Sequence, residues 1–272
     1  MKDFIHAHKF SLLDNKENVF YTKGDIHNIL NMFANIEKIN KNVILITANS
    51  DVTIDENLIK HLPRNVYKWF AQNAMANHPK LEIIPEGLQP SFQSSNGDIG
   101  YEIAKVKEDI LSSIEDTVPK KLVYSNFAIG TNPTVRSKIK DLCHTADHID
   151  WDESIDFSDY HNYNNINSLH YFYNKIKEYE SVVCPIGNGI DTHRVYETLY
   201  LNRIPIVFNE KIYNKLYVNY PIILIDENDL MDETKIKEKI IETKKNNFDE
   251  NMLFFDFWKN KILSTQKEML TT

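Results

Sequence analysis

Ser181-Val182-Val183-Cys184-Pro185-Ile186-Gly187-Asn188-Gly189-Ile190-Asp191-Thr192-His193-Arg194-Val195-Tyr196-Glu197-Thr198-Leu199-Tyr200-Leu201 reads as a buried strand, a glycine-containing loop and an amphipathic helix. A second β-branched run, Ile204–Phe208, follows at once. A short apolar strand that turns into a helix and returns to a strand is the unit of a parallel α/β sheet. The same alternation runs outward in both directions. Buried-strand runs are expected at Asn42–Thr47, Leu81–Pro85, Lys121–Phe127, Ser181–Cys184, Ile204–Phe208 and Pro221–Ile225. Helical patterns are expected at Asp25–Lys38, Tyr101–Ile114, Pro133–Leu142, Ile166–Tyr179, Thr192–Leu201, Glu227–Lys245 and Asp249–Lys267.

The best break in the pattern is Asp116–Lys120, where a charged helix ends, Pro119 intervenes and a new strand opens. The expected architecture is therefore α/β, with two Rossmann-like αβα domains, 1–116 and 117–272, facing a central cleft. The last helix, with its aromatic cluster Phe254, Phe255, Phe257 and Trp258, reads as core that packs back on the first domain. Open α/β sheets bind ligands outside the carboxyl ends of their strands.

The bulk numbers fit an ordinary soluble globular chain: 272 residues, 42% hydrophobic and 26% charged. A net charge of -8 argues against a dedicated nucleic-acid binder. Two cysteines, Cys143 and Cys184, suggest a reducing compartment without a disulfide framework. The N-terminus lacks an apolar signal core, and no run approaches the roughly 18 apolar residues of a membrane span. A cytoplasmic protein is expected.

Glycine is scarce, seven in all, yet Gly187 and Gly189 flank Asn188 just before a helix start. Uncapped amides and the dipole at a helix N-terminus favour an anion, and glycine lets backbone approach a phosphate closely. Asp191 or Thr192 can cap the helix, Arg194 in its first turn adds a bidentate cation, and Glu197 lies on the same face, four residues after His193. An acidic group there can accept both hydroxyls of a ribose. Together these match a nucleoside diphosphate. The plainer alternative is a capped helix with a surface Arg–Glu pair, and spacing alone leaves both open. Neither a dinucleotide fingerprint nor a Walker loop is present.

The stretch CPIGNGIDTHRVYETLYLNRIPIVFNE, residues 184–210, resembles the C-terminal donor-binding segment of exostosin-like glycosyltransferases and their small viral and bacterial relatives. Those enzymes carry a similar Pro-x-Gly-x-Gly, a helix bearing Arg and Glu, and then Ile-Pro-Ile-Val. Weaker similarity extends to residues 43–55, 68–88 and 122–139. The resemblance implies a two-domain fold of the GT-B type and a nucleotide-sugar co-substrate. It places Arg194 near the diphosphate and Glu197 on the ribose. Exostosin-type enzymes are usually larger and membrane-anchored, so the acceptor does not carry over.

Within that frame, Ser125 and Asn126 end the strand that opens the second domain, and Arg136 begins its helix behind Asn132-Pro133. Arg136 would neutralise the departing phosphate. The expected donor-binding set is Ser125, Asn126, Arg136, Gly187, Asn188, Gly189, Asp191, His193, Arg194 and Glu197. An inverting reaction needs a base from the first domain, for which Asp51, His78 and Glu86 are the candidates, with His27 behind them. A retaining one needs no such base.

No cofactor and no metal are expected. Asp150-Trp151-Asp152 spells a D-x-D, but inside an acidic stretch that reads as solvated loop. His144 and His148 beside Cys143 lack a second ligand pair. Tyr160, Tyr163, Tyr171 and Tyr173 could stack on a base or sugar, although the last two also read as helix core. The expected partners are a nucleotide-sugar donor and a saccharide, glycoconjugate or other hydroxyl acceptor. Alternatives are a non-catalytic nucleotide-sugar or carbohydrate-binding protein, a nucleotide-dependent epimerase or oxidoreductase, and a transferase acting on modified DNA bases, the last weighed down by the net charge.

Overall fold

A computed structural model of the chain describes residues 3–14, 16–89, 99–156, 165–208 and 213–271. Its strands are β1 (Val19–Lys23), β2 (Val43–Ala48), β3 (Val66–Ala71), β4 (Leu81–Ile83), β5 (Lys121–Ser125), β6 (Ile149–Trp151), β7 (Tyr179–Val183), β8 (Ile204–Phe208) and β9 (Ile223–Ile225). Its helices are α1 (Ala7–Ser11), α2 (Ile26–Ile36), α3 (Glu56–Ile59), α4 (Ile99–Ser113), α5 (Pro133–Thr145), α6 (Ile166–Lys177), α7 (His193–Tyr200), α8 (Tyr213–Leu216), α9 (Glu227–Leu230), α10 (Glu233–Lys245) and α11 (Phe255–Thr271). The chain divides into two compact units. Unit 1 comprises Met1–Gln89, Gly189–Asp191 and Glu250–Thr272; unit 2 comprises Pro90–Asn188 and Thr192–Asp249.

Unit 1 is a parallel sheet in the order β1-β2-β3-β4 with helices on both faces. The middle strand β2 is buried throughout, as a parallel strand covered on both sides must be. Its residues alternate: Val43 and Leu45 pack against Ile29, Phe33 and Ile36 of α2. Ile44, Ile46 and Ala48 join Phe10 of α1 and Phe255, Trp258 and Ile262 of α11. The C-terminal aromatics thus supply one of the two layers over this sheet. Gly87, at φ +70, closes the same unit: a Cβ there would meet the Ile5 carbonyl oxygen at 2.3 Å. Without a side chain the N-terminal segment comes close enough for Leu88 N–H to bond Ile5 O at 2.7 Å.

Unit 2 is a parallel sheet in the order β6-β5-β7-β8-β9. One face carries Val123, Val183, Ile206 and Ile223 against Ile139 and Cys143 of α5 and Ile236 and Ile240 of α10. On the other face the Tyr124 ring meets Phe172 of α6 and Tyr179 of β7. Asn132 and Asn165 cap α5 and α6 with their side chains, and Asp232 caps α10. That last cap divides the expected helix 227–245 into α9 and α10. Arg203, buried after α7, donates to Lys177 O, Thr117 O and Asp116. Asp116 also takes a bond from the Lys177 ammonium at 2.6 Å. That bond, ahead of the Asn202 amide and the Arg203 charge, pulls its carboxyl down to about 2.

Helix α4, which precedes the sequence break at Asp116–Lys120, falls in unit 2, where it packs beside α6 and inserts Lys107 into that unit's interior. Among the described residues no helix is long and apolar enough to cross a membrane.

Candidate functional site

The order β6-β5-β7-β8-β9 reverses direction between β5 and β7. At such a switch point the loops leaving adjacent strands part in opposite directions and open a crevice at their carboxyl ends. The two loops here are Asn126–Asn132, after β5, and the glycine loop that starts at Cys184, after β7. Arg136 of α5 holds them together: its Nε donates to Ile186 O at 2.7 Å, Nη2 to Pro185 O at 3.1 Å and Nη1 to Ala128 O at 2.6 Å. Asn132 Nδ2 adds a bond to Gly187 O at 3.2 Å. Gly187 fits against this clamp, where a Cβ would lie 3.1 Å from Arg136 Nη2.

Arg194 lies in the first turn of α7. Its Nη1 donates to Asn126 O, and its guanidinium carbon sits 4.1 Å from the centre of the Phe172 ring, within cation–π range. Its Nε stands 3.4 Å from Glu197 Oε2. Glu197 is only 4% exposed; its Oε1 receives the Lys107 ammonium at 3.2 Å and the Tyr173 hydroxyl at 2.9 Å. Burial alone would push this carboxyl up. The Lys107 and Arg194 charges, with the Tyr173 hydroxyl, outweigh it and hold Glu197 below its ordinary value. Lys107, Tyr173, Glu197 and Arg194 therefore form a chain of paired groups running from the interior of unit 2 to the start of α7.

Other members of the expected donor set are committed inside the fold. Ser125 is fully buried and its Oγ faces Cys143 Sγ at 3.3 Å. Asn126 spends its amide on Asp152 O and Ile155 O. Asn188 is exposed and His193 half-buried. The stretch 150–152 begins as strand β6. Asp150 accepts from Lys121 at 2.6 Å and from the Tyr179 hydroxyl at 2.7 Å, and Asp152 accepts the Tyr124 hydroxyl at 2.9 Å. Among the described residues no group of three His, Cys, Asp or Glu is arranged to hold a metal. Tyr173 is core, whereas Tyr171 is exposed and hydrogen-bonded by Ser154; Tyr160 and Tyr163 lie outside the described residues. A cavity of about 630 Å³ bordered by Pro119, Glu180, Ile204, Pro221 and Lys244 sits at the amino ends of the strands, and no candidate residue lines it.

Gly189 and Asp191 fall in unit 1. There the turns after β2, β3 and β4 gather Asp51, Asn73 and Glu86 at the carboxyl edge of the sheet. Asp191 Oδ2 accepts the Glu86 N–H at 3.0 Å, and the Asp191 N–H goes to Asn73 Oδ1 at 2.9 Å. Asn73 Nδ2 donates to Glu86 Oε2 at 3.1 Å. A Cβ on Gly189 would meet Asn73 Oδ1 at 3.0 Å and Asp51 Oδ1 at 3.2 Å. Glu86 is 6% exposed. Burial, then the Asp191 and Asp51 charges, push its carboxyl well above the usual range, against the opposing hydrogen bond from Asn73.

His78 stands apart from this cluster. It precedes β4 and accepts the Lys80 N–H through Nδ1, which places it at the amino end of the strand whose carboxyl end leads to Glu86. His27, in the first turn of α2, pairs with Asn31. Sequence reasoning did not single out Asn73, Lys107, Asn132 or Phe172 for these roles. Only the Asn-Pro helix start at Asn132 carried a local signal for its cap.

No family model matches the chain, and no curated protein matches it. Among solved structures the chain is similar to an alpha1,3-fucosyltransferase, with a TM-score of 0.46 and 11% identity over 95% of this chain and 79% of that one. A likeness at that score says nothing by itself about ligand or reaction. The fold defines a mixed α/β protein of two parallel-sheet, Rossmann-like units.

Proposed function

We propose that this protein is a glycosyltransferase that takes its sugar from a nucleotide-sugar donor. The observation that carries the reading is the switch point of unit 2: the reversal between β5 and β7 coincides with the Gly187 loop and the Arg194 helix start. An anion at the first turn of α7 would accept its amides and meet Arg194.

The surroundings of each residue suggest its role. Arg194 contacts the diphosphate. Arg136, bound to three carbonyls, holds the two loops in register. Glu197 is fastened from inside by Lys107 and Tyr173, so we assign it to aligning Arg194 ahead of the ribose contact that the sequence resemblance implies. The acceptor, a saccharide or another hydroxyl compound, is assigned to unit 1, whose Glu86 and Asp51 are the acid–base candidates.

A thermal-shift titration with UDP-, GDP-, CMP- and dTDP-sugars tests the donor assignment. A ligand confined to the folded state adds about 2.7 kcal/mol at a hundredfold excess over its Kd. One donor class is expected to raise the melting temperature of the wild type and to lose that effect in Arg194→Gln. An unchanged ligand shift in Arg194→Gln, or no shift with any of the four, rules the reading out.

A further inference from the structure

We propose that Asn73 is the positioning residue of the carboxyl cluster in unit 1, locking the Glu86 side chain and the Asp191 backbone into one arrangement. The inference rests on the reading of Glu86 as an acid–base group. Asn73 is fully buried and sits at φ 51, a left-handed conformation that asparagine tolerates far better than most side chains. Both of its amide protons are spent, one on Ser50 O at 2.8 Å and one on Glu86 Oε2. Its oxygen takes the Asp191 N–H, and the Asp191 carboxylate in turn takes the Glu86 N–H. The three residues close a ring of hydrogen bonds in which no member can rotate without breaking a bond to another. A primary amide is the side chain that offers donors and an acceptor from one planar head of this size.

The ring has a chemical consequence. The carboxylates of Asp191 and Asp51 face Glu86, both repulsive to its ionised form. On the N-terminal segment beside Leu88, His6 is buried and held neutral by burial and by Lys9, at about 3. Gln72 contributes an amide to the Pro85 and Glu86 carbonyls and not to the carboxyl. The Asn73 amide, bonded to Oε2, favours the ionised carboxylate, the form that can accept a proton from a hydroxyl.

Two variants separate this role from a structural one. Asn73→Gly keeps the backbone conformation and removes the amide; Asn73→Asp keeps shape and conformation but replaces the donor with a charge. The carboxyl carbons of glutamates labelled with carbon-13 are followed by NMR against pH, and the Glu86 signal is identified by its loss in Glu86→Gln. The Glu86 midpoint is expected to rise in both variants, by about one unit or more in Asn73→Asp. Midpoints equal to the wild type in both folded variants overturn the proposal. Turnover of the stabilising nucleotide sugar by Glu86→Gln at the wild-type rate would instead remove the acid–base reading, a result the titration cannot produce.

Discussion

Glu86, in the turn after β4, and Glu197, on α7, are both almost wholly buried glutamates, and their environments push them in opposite directions. Glu86 is buried with the Asp191 and Asp51 carboxylates beside it, and these outweigh the Asn73 amide, so its proton is held. Glu197 has Lys107, Arg194 and the Tyr173 hydroxyl, so its charge is held. Burial disfavours the charged form of each; the neighbours set the direction of the difference. Titratable groups driven apart in this way are a recognised mark of divided chemical roles. Here one unit carries a carboxyl suited to exchanging a proton and the other a carboxylate suited to fixing a cation.

The largest effect should come from breaking the ion pair of unit 2. Lys107 is 0% exposed, so Lys107→Met takes one cation from the Glu197 charge, and Glu197→Gln takes from the buried ammonium the carboxylate it faces. Each single change is expected to cost about 3–5 kcal/mol in urea unfolding. The double variant should cost clearly less than the sum, because it removes both charges at once. Additive losses would mean that the pair contributes no compensation and that the contrast with Glu86 is one of position only.

Opposite pH slopes sharpen the contrast further. The folded protein keeps the Glu86 proton to higher pH than the unfolded chain, whose glutamate titrates near 4.5. Its contribution to stability is therefore complete below pH 4.5 and is lost as pH rises toward the folded value. Glu197, held below 4.5, contributes above that pH and loses its contribution as pH falls. Relative to wild type, Glu86→Gln should gain stability between pH 4.5 and 7.5, and Glu197→Gln should show its deficit shrinking in acid. Urea midpoints for the three proteins, measured from below pH 4.5 up to pH 7.5, decide it; parallel curves would deny the assigned environments.

These two sites differ also in how far the sequence announces them. The runs that became β2 and β8 are rich in Val, Ile and Leu, β5 holds Leu122-Val123-Tyr124 and β7 ends in Val182-Val183, and the glycine loop with Arg194 reads directly as a strand–loop–helix. By contrast β1 is half-exposed, and β3 carries Lys68, whose ammonium is paired with Glu82, so neither stands out as a buried run. β6 is three residues inside an acidic stretch. Lys107 looks like one more lysine on a charged helix, because its partner is 90 residues away. Asn73 has no local signature at all: its role depends on a left-handed turn and on Asp191, 118 residues further on. Local periodicity reveals an element that one face of the chain dictates, and a contact between distant turns leaves no period to detect.

The smallest expected effect compares the two glycines of the loop. Gly187 lies against Arg136, whose guanidinium is fixed by three carbonyls; Gly189 lies against Asn73, fixed by its ring of hydrogen bonds, and against Asp51. An added methyl at either site would press at 3.0–3.1 Å on a polar group that cannot easily give. Crowding of this kind costs about 1–3 kcal/mol, while replacing glycine by alanine returns about 0.4–1 kcal/mol through the unfolded chain. Gly187→Ala and Gly189→Ala should therefore each lose about 1 kcal/mol, with Gly189→Ala the worse because two neighbours crowd it. Gly130 has nothing within 4 Å of a would-be Cβ, so Gly130→Ala is expected to be neutral or slightly stabilising. Chemical denaturation of the three variants checks the order. If Gly187→Ala proved as harmless as Gly130→Ala, Arg136 would have to be mobile, and its place as the clamp of the switch-point loops would be lost.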